Sequence, residues 1–235
     1  MKLLLQILIL LLVPLVVAAQ VKKPWNDPGY DNKAVHFGFS LGVHTSDLGI
    51  QRSMKSDIPT NLVLIPDVSK QGIGGQIQIV SNYRLGDNLD LRFLPGISLG
   101  SKTISFYNPS DSSLVSSDDI EYAYLVFPLD LKYRSNRLNN YRPYILGGLE
   151  YRYDLGSARE ASDTDNIRLT PGNLFYEIGV GIDSYLPFFK LSTELKVGIG
   201  IFETKIRAYG AGWENEAASI SSMKPFIVGL SFHFE

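Results

Sequence analysis

Apolar and other residues alternate with a period of two along most of this chain, and this pattern constrains the fold more than any other feature. It is clearest in residues 35–45, 190–202 and 224–234. In the last of these segments, Phe234 ends the apolar face and His233 lies on the other face. Because successive side chains of a β-strand point to opposite faces, the pattern predicts strands with one apolar face.

Five further segments continue the pattern, which brings the number of predicted strands to eight. They are residues 72–84, 89–101, 120–134, 142–155 and 172–186. A tilted strand needs about 9–11 residues to cross the hydrocarbon of a membrane, whereas strands of globular proteins are usually about 5–6 residues long. These lengths favour a sheet that spans a membrane.

The connections between the predicted strands alternate strictly in length. The short ones are residues 85–88, 135–141 and 186–189, and the long ones are residues 46–71, 102–119, 156–171 and 203–223. Barrels of bacterial outer membranes have short periplasmic turns and longer extracellular loops. The sequence therefore predicts an all-β fold: an eight-stranded antiparallel transmembrane β-barrel over residues 35–235, located in the outer membrane.

The first part of the chain reads as a segment for export. Residues 1–19 carry a lysine at position 2, continue with an apolar run over 3–17 and end in small residues, which is typical of a secretory signal peptide. Residues 20–34 contain two prolines and a glycine, and they predict an extended periplasmic lead-in to the first strand.

Composition excludes several kinds of site. Cysteine is absent, which excludes disulfides and thiolate metal sites. The formal net charge is −2, so nothing in it indicates a nucleic-acid partner.

If the apolar face meets lipid, the other face lines the interior of the barrel. The charged residues on that face form the predicted internal network: Asp90, Arg92, Asp130, Lys132, Glu150, Arg152, Asp154, Glu177, Asp183, Glu194 and Lys196. An eight-stranded barrel is only wide enough for side chains to fill it, and buried charges must be paired or hydrated. We therefore expect a crowded salt-bridge network, in which Arg92 and Lys132 on adjacent strands pair with nearby acids, and no open channel. A gated ion or proton path through the network is the alternative.

Pro95 and Pro128 fall inside predicted strands, where they cannot donate to the sheet. We expect a bulge or a local kink there.

Residues 44–47, whose sequence is HTSD, offer the strongest candidate for catalysis, at the predicted extracellular end of the first strand. Some small barrels are lipid-modifying enzymes with histidine, serine and an acid near that rim, but such groups must converge in space to act together. No acid partner for His44 is identifiable. His36 and His233 would lie near each other where the barrel closes, without further ligands for a metal. We expect no enzyme, no cofactor and no metal site.

Four stretches carry a resemblance to a known family. VHFGFSLGVHT, DLRFLPGISLG, FPLDLKYRSNRLNNYRPYILGG and LPFFKLSTELKVGIG are similar to the PorT family of outer-membrane barrels. The likeness covers most of residues 32–235 and is most specific at Phe127–Tyr144. One departure is visible, because many outer-membrane barrels end on an aromatic residue and this chain ends Phe234-Glu235.

This resemblance implies a function that the strand pattern does not give. PorT-like proteins are accessory components of the type IX secretion system, which exports cargo across the outer membrane and supports gliding in some bacteria. The resemblance therefore implies a non-enzymatic secretion component. Its partners would be outer-membrane lipid and other membrane or periplasmic proteins of the system, without a small-molecule substrate. The alternatives are a lipid-modifying barrel enzyme and a structural or adhesive barrel that binds through residues 46–71 and 203–223.

Overall fold

The computed structural model describes residues 25–52, 64–70, 72–158, 167–204, 206–208, 216 and 219–235. The strands are β1 (Val35–Arg52), β2 (Ile65–Lys70), β3 (Gly72–Arg84), β4 (Leu89–Phe93), β5 (Gly96–Tyr107), β6 (Leu114–Arg134), β7 (Tyr141–Asp154), β8 (Ile167–Leu169), β9 (Gly172–Tyr185), β10 (Lys190–Gly200), β11 (Ile206–Ala208) and β12 (Ile220–Phe234). A 3₁₀ helix covers Tyr30–Asn32, and one helical turn covers Leu155–Ala158. Within the described ranges, no helix is long and apolar enough to cross a membrane. The predicted signal peptide, residues 1–19, lies outside them.

The strands close into a ring. Its order is β1, β3, the pair β4 and β5, β6, β7, β9, β10 and β12, and all neighbours are antiparallel. The ring closes because β1 pairs with β3 on one side and with β12 on the other. Since β4 and β5 are two parts of one strand, the barrel has eight strands, and the predicted fold class is confirmed.

The outer wall of the barrel is apolar, as alternation requires. Phe37, Ile77 and Ile178 are each more than 60% exposed, although they lie within hydrogen-bonded strands. Their sequence neighbours point inward. Such exposure would be unfavourable in water, but in a bilayer the hydrocarbon covers these side chains.

One end of the barrel carries the short connections. Residues 85–88, 135–140 and 186–189 join neighbouring strands there, and the first strand starts and the last strand ends at the same end. This end is called the short-turn end below, and the opposite end is called the long-loop end.

At the long-loop end, the predicted boundaries are wrong, because four strands continue beyond them. β1 runs to Arg52, and β2 adds a strand segment within the predicted loop 46–71. The predicted loop 102–119 is mostly a hairpin, whose strands β5 and β6 pair as far as Tyr107 and Leu114. β12 begins at Ile220, four residues before its predicted start.

The two prolines affect the wall differently. The third strand is interrupted at Leu94–Pro95, but its pairing register is the same on both sides, so no bulge forms. Pro128 lies within the continuous strand β6. Because Pro128 has no N–H to donate, the carbonyl oxygen of Leu94 instead accepts from Gln78 Nε2 inside the barrel, at 3.3 Å. The expected bulges are therefore absent, and the only local irregularity at these positions is the break at Leu94–Pro95.

Candidate functional site

All eleven charged residues of the predicted network point into the barrel. They are Asp90, Arg92, Asp130, Lys132, Glu150, Arg152, Asp154, Glu177, Asp183, Glu194 and Lys196, and none is more than 8% exposed. Their position follows from strand parity, because each neighbours an outward residue on either side. The interior is consequently a layer of charge enclosed by an apolar wall.

Two short ion pairs connect strands that are not neighbours in the ring. Arg92 Nη1 lies 2.6 Å from Glu194 Oε2, and Lys132 Nζ lies 2.7 Å from Asp183 Oδ1. Arg92 is on β4 and Glu194 is on β10, which stand opposite each other in the ring. Arg92 and Lys132 thus both pair with acids of the predicted network. Arg92 reaches across the lumen, whereas Lys132 on β6 reaches over one intervening strand to Asp183 on β9.

Other pairs fill the space between these contacts. Lys196 Nζ lies 3.3 Å from Asp130 Oδ2 and 3.0 Å from Glu177 Oε2. Arg152 contacts Glu150. Each of these acids is thus paired with a cationic side chain, and this pairing reduces the free-energy cost of burying the charge.

Sequence reasoning missed several inward residues that join this network, of which Tyr144 and Arg134 are two. Tyr144 donates to Glu194 Oε2 at 2.8 Å, and Lys132 Nζ lies 3.6 Å from the centre of its ring. Arg134 pairs with Asp90 at 2.9 Å. Both positions have inward parity in the sequence, which is the signal that could have identified them.

Asp154 lies toward the long-loop end, where its Oδ1 accepts from the backbone N–H of Gly156 at 3.0 Å. This bond ties the end of β7 to the helical turn at Leu155–Ala158.

His44 is not at a rim, because β1 continues for eight residues beyond it. It is 3% exposed, and its Nε2 lies 3.1 Å from Tyr122 Oη and 3.3 Å from Ser98 Oγ. Its Nδ1 has no hydrogen-bond partner among the described residues. Among the described residues, no acid is hydrogen-bonded to His44, and its ring lies inside the barrel and not at the rim.

The other two histidines are separated. His36 stacks on Tyr30, with ring centroids 4.0 Å apart, and His233 Nε2 lies 3.3 Å from Glu194 Oε2. Since Ser40, not His36, pairs with His233 across β1 and β12, the expected proximity of the two histidines is wrong. The described residues include no group of three or more His, Cys, Asp and Glu side chains that could hold a metal.

At the long-loop end, the polarity of the two faces is reversed. Inward residues of the extended strands form an apolar cluster: Leu48, Leu64, Ile104, Phe106, Ile120 and Met223. Outward residues at the same level, such as Asp119 and Lys224, are polar and exposed. A cavity of about 30 Å³ lies below the cluster, beside Lys102 and Arg152, and has room for little more than water. The sequence pattern did not predict this cluster.

The short-turn end is covered by residues 25–34, called the N-terminal segment below. The expected extended lead-in is wrong for this part, because Tyr30–Asn32 form a 3₁₀ helix that packs into the barrel mouth. Tyr30 is 5% exposed, and its hydroxyl donates to Glu235 Oε2 at 3.0 Å. Asp31 Oδ1 accepts from Arg142 Nη1 at 3.0 Å. The interior is thus closed by an apolar cluster at one end, ion pairs in the middle and the N-terminal segment at the other end.

Comparison with known proteins agrees with this architecture. The family described as "Outer membrane protein beta-barrel domain" matches residues 18–205. No curated protein sequence matches the chain significantly.

Three solved structures are similar in shape. OprG from Pseudomonas aeruginosa is 15% identical, with 85% of this chain and 92% of that chain covered and a TM-score of 0.46. AlkL, solved in lipid bilayers, is 14% identical, with 92% and 94% covered and a TM-score of 0.46. Neisserial surface protein A is 12% identical, with 86% and 98% covered and a TM-score of 0.41.

Proposed function

This chain belongs to the outer-membrane β-barrel domain family, and on that premise we propose that it is a non-enzymatic component of the type IX secretion system. It lies in the outer membrane, so its short-turn end faces the periplasm and its long-loop end faces the exterior. In this role it supports the export of cargo proteins, and in gliding bacteria it supports motility, without conducting cargo itself.

The observation that carries the proposal is the closed interior. Arg92 and Glu194 meet at 2.6 Å in the middle of the lumen, and both side chains are completely buried. An eight-stranded barrel leaves no space for a polypeptide beside such a pair. A barrel of this kind acts through its rims and surfaces, as an accessory component would.

The resemblance to PorT-like proteins supports the choice of system. Its most specific part, Phe127–Tyr144, includes the turn at residues 135–140 and two of the arginines at the periplasmic mouth, Arg137 and Arg142. The likeness is therefore concentrated on a surface that a periplasmic protein can reach. We infer that partners bind at this rim and that the outer wall contacts lipid alone.

Deletion of the gene tests the role directly. The culture medium should lose type IX cargo, and a plasmid copy should restore it. A periplasmic marker protein, measured in the same medium, controls for leakage through a damaged envelope. Undiminished cargo in the medium of the deletion strain would exclude the proposal.

Crosslinking in intact cells, followed by mass spectrometry, distinguishes the secretion role from a structural or adhesive role. The secretion role predicts crosslinks to secretion components through the turns at residues 85–88, 135–140 and 186–189. If crosslinks form only at the long-loop end, and no crosslinked partner is a secretion component, an adhesive barrel would be favoured.

Export to the outer membrane also implies that the signal peptide is cleaved. We propose that residues 1–19 are removed on export and that the mature protein begins at Gln20. Mass measurement of the protein purified from outer membranes tests this, and an intact mass that includes residues 1–19 would contradict it.

A further inference from the structure

The periplasmic mouth holds one carboxylate of the N-terminal segment among several donors. Asp31 Oδ1 lies 3.0 Å from Arg142 Nη1 and 3.3 Å from Arg134 Nη1. Its other oxygen lies 3.7 Å from Arg137 Nη1. Tyr185 Oη donates to Oδ1 at 2.9 Å. Three guanidinium groups and a hydroxyl therefore converge on a single side chain.

The barrel binds two of these arginines directly, although Arg137 also donates from Nη2 to the carbonyl oxygen of Asn26 in the segment. Arg142 donates from Nε to the carbonyl oxygen of Ser135 at 2.6 Å and from Nη2 to that of Asp87 at 2.7 Å. Arg137 donates from Nε to the carbonyl oxygen of Asn139 at 2.9 Å. These acceptors belong to the turns of the barrel, so the donors remain arranged for a carboxylate when Asp31 is absent.

Charge at the mouth favours an acidic occupant. Arg134 has a second partner, because it pairs with the buried Asp90 at 2.9 Å. In the part of the chain that the structure describes, Asp31 is the only carboxylate that forms an ion pair with Arg137 or Arg142. Removing Asp31 leaves two positive charges beside each other, and charge-assisted hydrogen bonds from arginine to a carboxylate are among the strongest in proteins.

An aromatic slot lies beside the arginines. The ring of Tyr30 stacks on His36 at 4.0 Å and meets the edge of Tyr185 at 5.7 Å. Lys190 Nζ lies 4.7 Å from the centre of the Tyr30 ring. The mouth therefore fits two adjacent side chains, an aromatic one and an acidic one.

The segment forms no strand with the barrel. Its hydrogen bonds from Asn32 to Gly29 and from Lys33 to Tyr30 are internal, whereas the carbonyl oxygen of Ala34 accepts from the backbone N–H of Arg84 at 2.8 Å. The side chain of Asp31 remains 24% exposed to the periplasm. For the segment to leave, two hydrogen bonds of Asn26, each 2.9 Å long, must break in addition to the contacts of Tyr30 and Asp31.

We propose that the periplasmic mouth is a binding site for a peptide motif of an aromatic residue followed by an acidic residue. Tyr30 and Asp31 occupy it as an internal ligand, and a matching segment of a periplasmic protein takes their place when the N-terminal segment lifts off. This inference goes beyond the proposed secretion role and does not depend on it, because it concerns the chemistry of the mouth alone.

The test uses the full-length protein in lipid nanodiscs and a labelled peptide with the sequence of residues 25–33, blocked at both ends. Fluorescence anisotropy measures its binding to the wild type and to Asp31→Ala, in which the internal ligand is weakened. Asp31→Ala should bind the peptide at least tenfold more tightly than the wild type. Asp31→Asn, which keeps the size of the side chain, is the second variant if the first does not fold.

Two matched peptides establish which group is recognised. A peptide with asparagine at the position of Asp31 should bind at least tenfold more weakly, whereas one with asparagine at the position of Asp27 should bind as the original does. Adding Arg142→Met to the Asp31→Ala variant should remove binding. Equal binding by the wild type and Asp31→Ala, or equal binding of the two asparagine peptides, would overturn the proposal.

Discussion

Arg92 and Glu194 form an ion pair across the full width of the barrel, with 2.6 Å between Nη1 and Oε2 and neither side chain exposed. They stand on β4 and β10, at opposite positions of the ring. The pair therefore holds opposite walls together directly and excludes a continuous channel at its level.

Removing one member of this pair should be costly. Arg92→Met leaves Glu194 buried with a charge that has lost its main partner, and we expect the free energy of unfolding to fall by about 3–5 kcal/mol. Urea unfolding in lipid vesicles, followed by tryptophan fluorescence, measures this loss. The double variant Arg92→Met, Glu194→Leu should recover much of it, because no unpaired charge remains. A single variant as stable as the wild type would show that the pair is not a structural element.

The closed lumen predicts that the protein does not conduct ions. The wild type, reconstituted in planar lipid bilayers, should show no channel steps, because ion pairs and the apolar cluster block the path. Arg92→Ala combined with Tyr144→Ala removes two partners of Glu194 but leaves the apolar cluster and the N-terminal segment in place, so this variant should also show no steps. Steps of nanosiemens size in the wild type would contradict the closed interior.

Two adjacent glycines provide a matched pair of substitutions. A Cβ on Gly74 would overlap His44 Nε2 inside the barrel, whereas a Cβ on Gly75 would meet no atom within 4 Å on the outer wall. Gly74→Ala should therefore lower the free energy of unfolding by about 1–3 kcal/mol. Gly75→Ala should change it by less than about 0.5 kcal/mol. The same urea titration measures both variants. Equal effects would contradict the assignment of Gly74 to the inner face and Gly75 to the outer face.

The apolar cluster should stabilise the extracellular end separately from the membrane-spanning part. Phe106 is completely buried, and Phe106→Ala should cost about 3–5 kcal/mol locally. Protease added to intact cells should then cleave the extracellular end faster, while the spanning strands remain protected. Leu114→Ala, at a side chain that is 58% exposed on the same hairpin, is the control and should leave the cleavage rate unchanged. Unchanged cleavage of Phe106→Ala would mean that the cluster does not hold the loops.

The ion pair of Glu235 with Lys190 predicts that the stability of the protein depends on pH. Burial raises the pKa of the Glu235 carboxyl, but Lys190 at 2.9 Å and other cations outweigh burial and lower the pKa to about 2. Because the folded-state pKa is below the unfolded value of about 4.3, the ionised carboxylate stabilises the fold above pH 4.3. This contribution is lost as the pH falls through about 2.

Glu235→Gln should therefore be less stable than the wild type at pH 7, and the difference should shrink between about pH 4 and pH 2. Unfolding curves at pH 7, 4 and 2.5 measure it. A difference that stays constant over this range would show that the Glu235 charge does not stabilise the mouth.

Alternation predicts the barrel, because lipid and lumen impose opposite demands on successive side chains. Parity alone assigned Lys132 and Asp183 to the same face, and the structure places both side chains inside the barrel. The pairing of the two could not be predicted, since contacts between strands that are not neighbours depend on barrel diameter and side-chain length. Nothing in the order of the strands brings Arg92 to Glu194.

The extended strand ends and the position of the N-terminal segment could not be predicted from the alternation of apolar residues. Beyond Thr45, β1 keeps its period of two, but Asp47 points outward and Leu48 inward, so a search for apolar outer faces ends the strand too early. The N-terminal segment is too short for any period. Only contacts that are distant in sequence, such as Asp31 with Arg142, give it a fixed place.

The reversal of polarity along β1, β5 and β6 means that one continuous wall meets two different solvents. Its lower part is stable only where hydrocarbon surrounds it, while its upper part buries an apolar core and presents polar groups, as a water-soluble protein does. Once that core has formed outside the cell, pulling the strands back would drag charged groups such as Asp119 through the bilayer. The barrel is therefore fixed at its depth in the membrane by the water on the far side as much as by the lipid around it.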